Sequence, residues 1–339
     1  MREGVSRRLV FAALVAACTA ASAAVVGWGA LRARDGAERV LPPDATAVRS
    51  LTRPGAIVFR TVDPARPSVY GFASRTRLGG EGRREMVPLP CARIHFAAHR
   101  GLCLEPAGSL TRQRVTILDL RFGELGELTF AGIPSRTRVS PDGRYGAVTF
   151  FVTGHSYAEP GTFSTHTALI DLRRGRRITD LERFDVRRRG KRIASPDVNF
   201  WGVTFGRDSN RFYATLATRG KTYLVQGDVA ARKARVVHDH VECPSLSPNG
   251  KRIAYKKRVG NGWRLHVLEL ETKRETALAE QRSVDDQVEW LDDRRLLYGV
   301  EGGIWVVDAD GSGSPQLLVR GADSPAVLRA APPPAATAS

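Results

Sequence analysis

Six copies of one turn motif leave this 339-residue chain few architectures to adopt. Each copy passes from an apolar stretch through a tight turn of Pro, Asp, Asn and Gly into basic residues and a second apolar stretch. The clearest are Ser140-Pro141-Asp142-Gly143-Arg144 ahead of residues 145–151, and Ser247-Pro248-Asn249-Gly250-Lys251-Arg252 ahead of residues 253–255. Their chemistry is that of a hairpin turn: Pro fixes φ, Asp or Asn bonds its own backbone, and Gly accepts the φ the exit demands. Weaker copies are Arg53-Pro54-Gly55, His99-Arg100-Gly101, Arg207-Asp208-Ser209-Asn210 and Asp292-Asp293-Arg294. With Pro54, Ala98, Pro141, Gly206, Pro248 and Leu291 as markers, the steps are 44, 43, 65, 42 and 43 residues, so one interval holds an insertion of about 22.

Each unit also predicts a third strand about 20 residues after its turn, at 115–120, 167–172, 222–229, 265–270 and 304–308, with 68–72 the poorest. A fourth follows at 128–131, 235–238, 276–279 and 316–319. Four short antiparallel strands at a period of 40 to 45 residues make the blade of a β-propeller. The expected fold is therefore all-β, a six-bladed β-propeller over residues 45–329, preceded by an N-terminal hydrophobic helix. One blade cannot hide its own apolar faces, whereas a closed ring packs each blade between two others. Two segments could supply the closing strand, residues 45–50 or residues 324–328, and the second is slightly favoured. Residues 330–339, with three consecutive Pro, read as a disordered tail.

Residues 9–31 carry no charge, and Arg2, Arg7 and Arg8 precede them. As a helix this run would span roughly 35 Å, enough for a bilayer core of about 30 Å. Residues 1–31 thus read as a signal sequence or transmembrane anchor, and 32–44 as a linker. Three versions remain open: a retained anchor, a signal cleaved after Ala21-Ser22-Ala23, or a lipoprotein modified at Cys18. All three place the body outside the cytoplasm, at the cell membrane or secreted.

The units around residues 140 and 247, together with Ile304-Trp305-Val306-Val307-Asp308-Ala309-Asp310-Gly311-Ser312-Gly313, resemble the repeats of TolB-type β-propellers over about residues 45 to 328. The resemblance implies a scaffold for protein or ligand contact and is nearly silent on activity. Residues 32–44 are too short for the α/β domain that precedes the propeller in TolB, and no room remains for the hydrolase domain of propeller-bearing peptidases.

No catalytic motif stands out. Gly154-His155-Ser156-Tyr157-Ala158 lacks the final Gly of a nucleophile elbow. The run from Asp308 to Gly313 begins like a calcium loop, but its twelfth place is Val319 where a bidentate Glu is needed, so a turn between outer strands is expected. His238, His240 and Glu242 indicate no third metal ligand. No catalytic residue, metal or cofactor is therefore assigned. Cys91 and Cys103 lie 12 apart around a predicted hairpin, which in an oxidising compartment allows a disulfide. Cys103 nevertheless aligns with Ala147, Ala214 and Ala254, a small buried slot, and a buried free thiol is the expectation.

The net charge is +17, with basic clusters at 173–177, 187–192 and 251–258. Such runs suit nucleic acid in a cytoplasm; outside it the polyanions are lipid head groups and cell-wall polymers. Arg outnumbers Lys 45 to 7, so genome composition explains part of this. The longest excursions from the repeat, residues 153–166 and the hairpin-like 184–195 leading to Asn199-Phe200-Trp201-Gly202, are where a site is expected. His155, Tyr157, Phe163, His166, Arg188 and Trp201 are the candidate ligand-binding residues, with Phe200 and Trp201 as fillers between blades the competing reading. The expected function is a monomeric, non-catalytic scaffold binding a protein or an anionic envelope polymer, tethered by its N-terminal segment, with no nucleic acid. The alternative is a lyase or lactonase at the channel mouth, which would need convergence of His95, Asp285, Asp286 and Glu289 from the inner strands.

Overall fold

The computed structural model describes residues 55–78, 84–106, 112–152 and 164–329. The expectations for residues 1–31, 32–44, 45–50 and 330–339, the possible modification at Cys18 among them, lie outside the described residues. Within the described residues, no helix is long and apolar enough to cross a membrane.

Six antiparallel sheets follow one another along the chain, one per repeat. Their innermost strands are Ala322–Leu328 in blade 1, Arg93–Ala97 in blade 2 and Ile133–Val139 in blade 3. Asn199–Phe205, Glu242–Leu246 and Glu289–Trp290 follow in blades 4, 5 and 6. The ring closes with the C-terminal strand: Ala322–Leu328 pairs with Ala56–Thr61, Ile57 opposite Val327. This is the closure the sequence slightly favoured. Arg60 forks onto Asp323 across the seam at 2.8 and 2.5 Å.

The motif's side chains explain the turns. In blade 3 the Ser140 hydroxyl donates to Asp142 (2.7 Å) and accepts from the Tyr145 N–H (2.9 Å), while Asp142 accepts from the Arg144 N–H (2.9 Å). Blade 5 repeats the network with Ser247, Asn249, Lys251 and Arg252. Gly143 and Gly250 stand at φ +68° and +74°, a region other residues enter only with strain.

The apolar core lies in the seams between blades. Phe212 and Leu216 of blade 4 pack with Ala147 and Leu169 of blade 3, and Tyr213 of blade 4 packs with Ile253 and Tyr255 of blade 5. Successive residues of one strand thus serve opposite seams, the period-2 pattern of a strand buried on both faces.

Three expectations need correction. The third strand of blade 1 is Phe72–Arg77, not 68–72: Pro67 opens a short 3-10 turn over Pro67–Val69, and Gly71 sits at φ +87° before the strand starts. The insertion does not stand apart from the ring. Asp185–Arg188 joins the outer edge of blade 4 in parallel with Lys233–Asp239, and Lys191–Arg192 pairs back on it as the expected hairpin, giving a six-stranded sheet. Finally, Cys103 is not a free thiol but is disulfide-bonded to Cys91, with Cα atoms 5.5 Å apart. The alignment with Ala147, Ala214 and Ala254 found the buried slot correctly, since Cys103 is fully buried; it ignored the residue facing that slot. In blade 5 the slot holds Ala254, so Cys243 has no thiol opposite and remains a buried free cysteine.

Candidate functional site

Residues two apart on an inner strand face the same side, so each inner strand lines the axial channel with alternate side chains. Where these strands end, a cavity of about 600 Å³ opens toward the motif turns. Every blade contributes apolar residues to its lining, Val327, Phe96, Val139, Phe205, Leu246 and Trp290 among them. Each is held by its sheet one or two residues before a turn, or in Val327's case by the closing strand. Pro141, Pro248, Arg207, Asp208 and Arg329 stand at the mouth.

The floor is a buried ionic layer joining four blades. Arg138 from blade 3 pairs with Glu289 of blade 6 and donates to the Val288 carbonyl at 3.0 Å. Arg329, just past the closing strand, donates to the other Glu289 oxygen at 2.7 Å. Burial raises Glu289, but Arg329, His95 and Arg138 outweigh it and hold the carboxyl below the usual range. His95 of blade 2 accepts the Val139 N–H at Nδ1 (3.1 Å), and its Nε2 lies 3.0 Å from the Arg138 guanidinium and 3.5 Å from Glu289. Burial first, then Arg138, lowers His95 to about 4, so its imidazole is neutral at physiological pH. Neither ring nitrogen nor either Glu289 oxygen is left as an idle base.

A second layer lies on the other side of this floor, where Asp285 reaches solvent. Asp285 is bonded by Arg136 (2.9 Å) and by Lys256. Burial raises its carboxyl, but Lys256 and Arg136 outweigh that and bring it to about 2. Asp286 accepts the Gln287 and Gly299 N–H groups, each at 2.9 Å, and burial raises its carboxyl despite Arg93 and Arg136 nearby. Gln287 crosses the channel to the carbonyls of Val203 (3.0 Å) and Pro244 (2.9 Å), tying blade 6 to blades 4 and 5. The four inner-strand groups named from the sequence therefore split, His95 with Glu289 at the cavity floor and Asp285 with Asp286 below. Among the described residues, no group of three or more His, Cys, Asp or Glu is placed to hold a metal.

The described sequence-derived candidates, His166, Arg188 and Trp201, lie apart. His155, Tyr157 and Phe163 lie outside the described residues. His166, on the third strand of blade 3, bonds Asp180 (2.8 Å) on that blade's outer strand. Arg188, on the added edge of blade 4, bonds both oxygens of Asp239 (3.2 and 3.0 Å) and covers the Tyr223 ring at 4.7 Å. Trp201 is 1% exposed and sits with Cys243 and Phe151 between blades, a filler's position. Of the residues that shape the cavity, Phe96, Val139, Phe205, Leu246 and Trp290 carried a usable signal, an apolar residue just before each turn marker. Arg138 and Arg329 had none, because their partners come from blade 6.

No protein-family model and no curated protein significantly matches the sequence. Solved structures do match in shape. TolB from Acinetobacter baumannii superimposes with a TM-score of 0.60 at 17% identity, covering 81% of this chain and 67% of that one. A chain of a nidogen/laminin complex gives 0.55 at 12% identity, covering 80% and 97%. Identities this low speak for architecture alone. With six blades, five of four strands and one of six, closed by the last strand, the chain has the fold of a TolB-like β-propeller.

Proposed function

We propose that this chain is an exported, membrane-tethered propeller that binds a segment of a partner protein at its channel mouth and catalyses no reaction on it. The observation that carries this is a cavity lined by apolar residues of all six blades above an ionic floor in which Glu289 is held by Arg138 and Arg329. Such a funnel rewards burial of an apolar side chain and offers Arg207 at the lip to a carboxylate. An enzyme site would instead hold a poised acid or base with a perturbed pKa near its working pH. The uncharged run at residues 9–31 supports export, as does the Cys91–Cys103 disulfide, a bond that persists in oxidising compartments. A fold of this shape also occurs in a nidogen/laminin complex, an assembly of proteins.

The test places a photoreactive phenylalanine derivative at Leu246 in the full chain, in its own cells, with Lys273 on an exposed outer turn as the control position. Irradiation should give a discrete protein adduct from position 246, none from 273, and a weaker one when Arg207→Glu reverses the lip. No adduct from the funnel, or consumption of a small molecule that depends on His95 and Glu289, would replace this reading with the lyase or lactonase alternative.

A further inference from the structure

The two strands added to blade 4 create a surface that the other five blades lack. The cross-strand register places Arg192 opposite Arg187, Arg187 opposite Arg235, Arg235 opposite Gln226 and Gln226 opposite Tyr213. Directly opposed residues share a sheet face, so this is one row. At its inner end Tyr213 meets Ile253 and Tyr255 of blade 5. Blade 5 ends in a strand of only three residues, Glu275–Ala277, and the outer end of the row, Arg235, Arg187 and Arg192, is exposed. The parallel row beside it runs Asp185, Lys233, Asp228, Arg211. Between them lies a groove of about 410 Å³.

Three guanidiniums side by side on strands about 4.8 Å apart repel one another. The local carboxylates do not cancel them. Asp185 serves both Arg187 (3.1 Å) and Arg192 (3.5 Å). Asp208 and Asp228 accept the backbone N–H groups of Arg211 (2.9 Å) and Ala231 (2.7 Å). Arg235 donates to the neutral Gln226 amide. Among the described residues, no carboxylate lies in ion-pair range of Arg211, Lys233 or Arg235.

We infer that this groove binds an extended phosphodiester polymer bearing hydroxyl groups, such as a polyol phosphate of the cell envelope. Guanidinium forks match phosphate oxygens two at a time, and a row of them matches charges repeated along a chain. The carboxylates among the cations suit hydroxyls between phosphates, which a bare polyphosphate lacks. The concave shape favours a single strand of polymer over a lipid surface, which meets a protein on a convex or flat patch. The groove adjoins the channel mouth at Asp208, which lines both, and the inference does not depend on a protein segment binding at the mouth.

The test uses the full chain and fluorescent poly(glycerol phosphate), read by anisotropy across a salt series. Arg187→Gln with Arg235→Gln should weaken binding by about tenfold or more and lower the slope of log affinity against log salt. Both side chains are exposed, and an unchanged melting curve confirms that the variant folds; Lys233→Gln alone should show a smaller loss in the same direction. Arg173→Gln with Arg174→Gln, an equal charge change on blade 3, should leave affinity within about twofold. The inference is overturned if the blade 3 pair weakens binding as much as the groove pair. It is equally overturned if inorganic polyphosphate binds as tightly as the polyol polymer, or if phosphatidylglycerol vesicles are bound and the polymer is not.

Discussion

His95 shows how burial and a neighbouring charge together set the protonation of a single ring. The Val139 N–H holds its Nδ1, and burial with the Arg138 charge lowers its pKa from 6.5 to about 4. A His whose folded pKa is depressed is protonated in the unfolded chain before it is protonated in the folded one. Between pH 6.5 and 4 the unfolded state therefore binds more protons, so this residue makes stability rise with pH and fall on acidification. The full effect at pH 4 is on the order of 3 kcal/mol. Glu289, held below the usual carboxylate range, adds acid lability in the same direction below its ordinary value of 4.5. His95→Asn keeps an oxygen acceptor for the Val139 N–H and removes the titration. Urea unfolding at several pH values should show the variant's stability flattened between pH 6.5 and 5, where Glu289 contributes least. A slope identical to the parent's would mean that the ring titrates alike in both states.

Among the elements, the hairpin of blade 2 is the one reinforced covalently. Cys91 precedes its inner strand and Cys103 lies on its second, so the bond closes a loop of 12 residues of sequence separation. A cross-link of that span stabilises by about 2–3 kcal/mol, chiefly by restricting the unfolded chain. Both sulfurs are buried, so added reductant tests unfolding rates rather than stability; Cys103→Ala is the cleaner variant. It places in blade 2 the residue that blades 3, 4 and 5 already carry, so packing survives and the loss in calorimetric stability reports the bond. No loss in melting temperature would show that the bond contributes nothing. The bond also marks the limit of sequence reading here. The Ser-Pro-Asp/Asn-Gly turns were legible because their hydrogen bonds are local, made within five residues. The slot of Cys103 was legible by repeat alignment, but its occupant's partner was not, because alignment compares like positions and never facing ones. The parallel pairing of Asp185–Arg188 with Lys233–Asp239 is a contact 48 residues distant, invisible to any local pattern. The funnel's apolar wall was present in the sequence as separate residues; only ring closure makes them one site.

Closure is a property of the whole molecule. Blade 1 takes its inner strand from the C-terminal end of the described chain and the next from the start, with Gly55 N–H meeting the Leu328 carbonyl at 3.2 Å. Two ionic contacts reinforce the seam, Arg60 with Asp323 and Arg329 with Glu289. The same strand finishes the functional geometry, since Val327 completes the apolar ring and Arg329 completes the floor. Ring closure and the proposed binding site thus depend on one element. A chain ending at Gly321 would expose Ile57 and Phe59, each at most 1% exposed in the closed ring, along an unpaired strand edge. An edge of that kind is a template for association. The truncated chain should elute as aggregate, bind a hydrophobic dye and lose its cooperative melt. Asp323→Ala removes one side of the seam's ion pair and keeps the strand, so it should remain monomeric and folded, with stability lower by about 1–3 kcal/mol from the stranded Arg60. Light scattering and calorimetry on the two variants together separate the strand from its ion pair. A truncated chain that melts cooperatively at the parent's temperature would show that five complete blades and three strands suffice, and that the last strand serves the funnel alone.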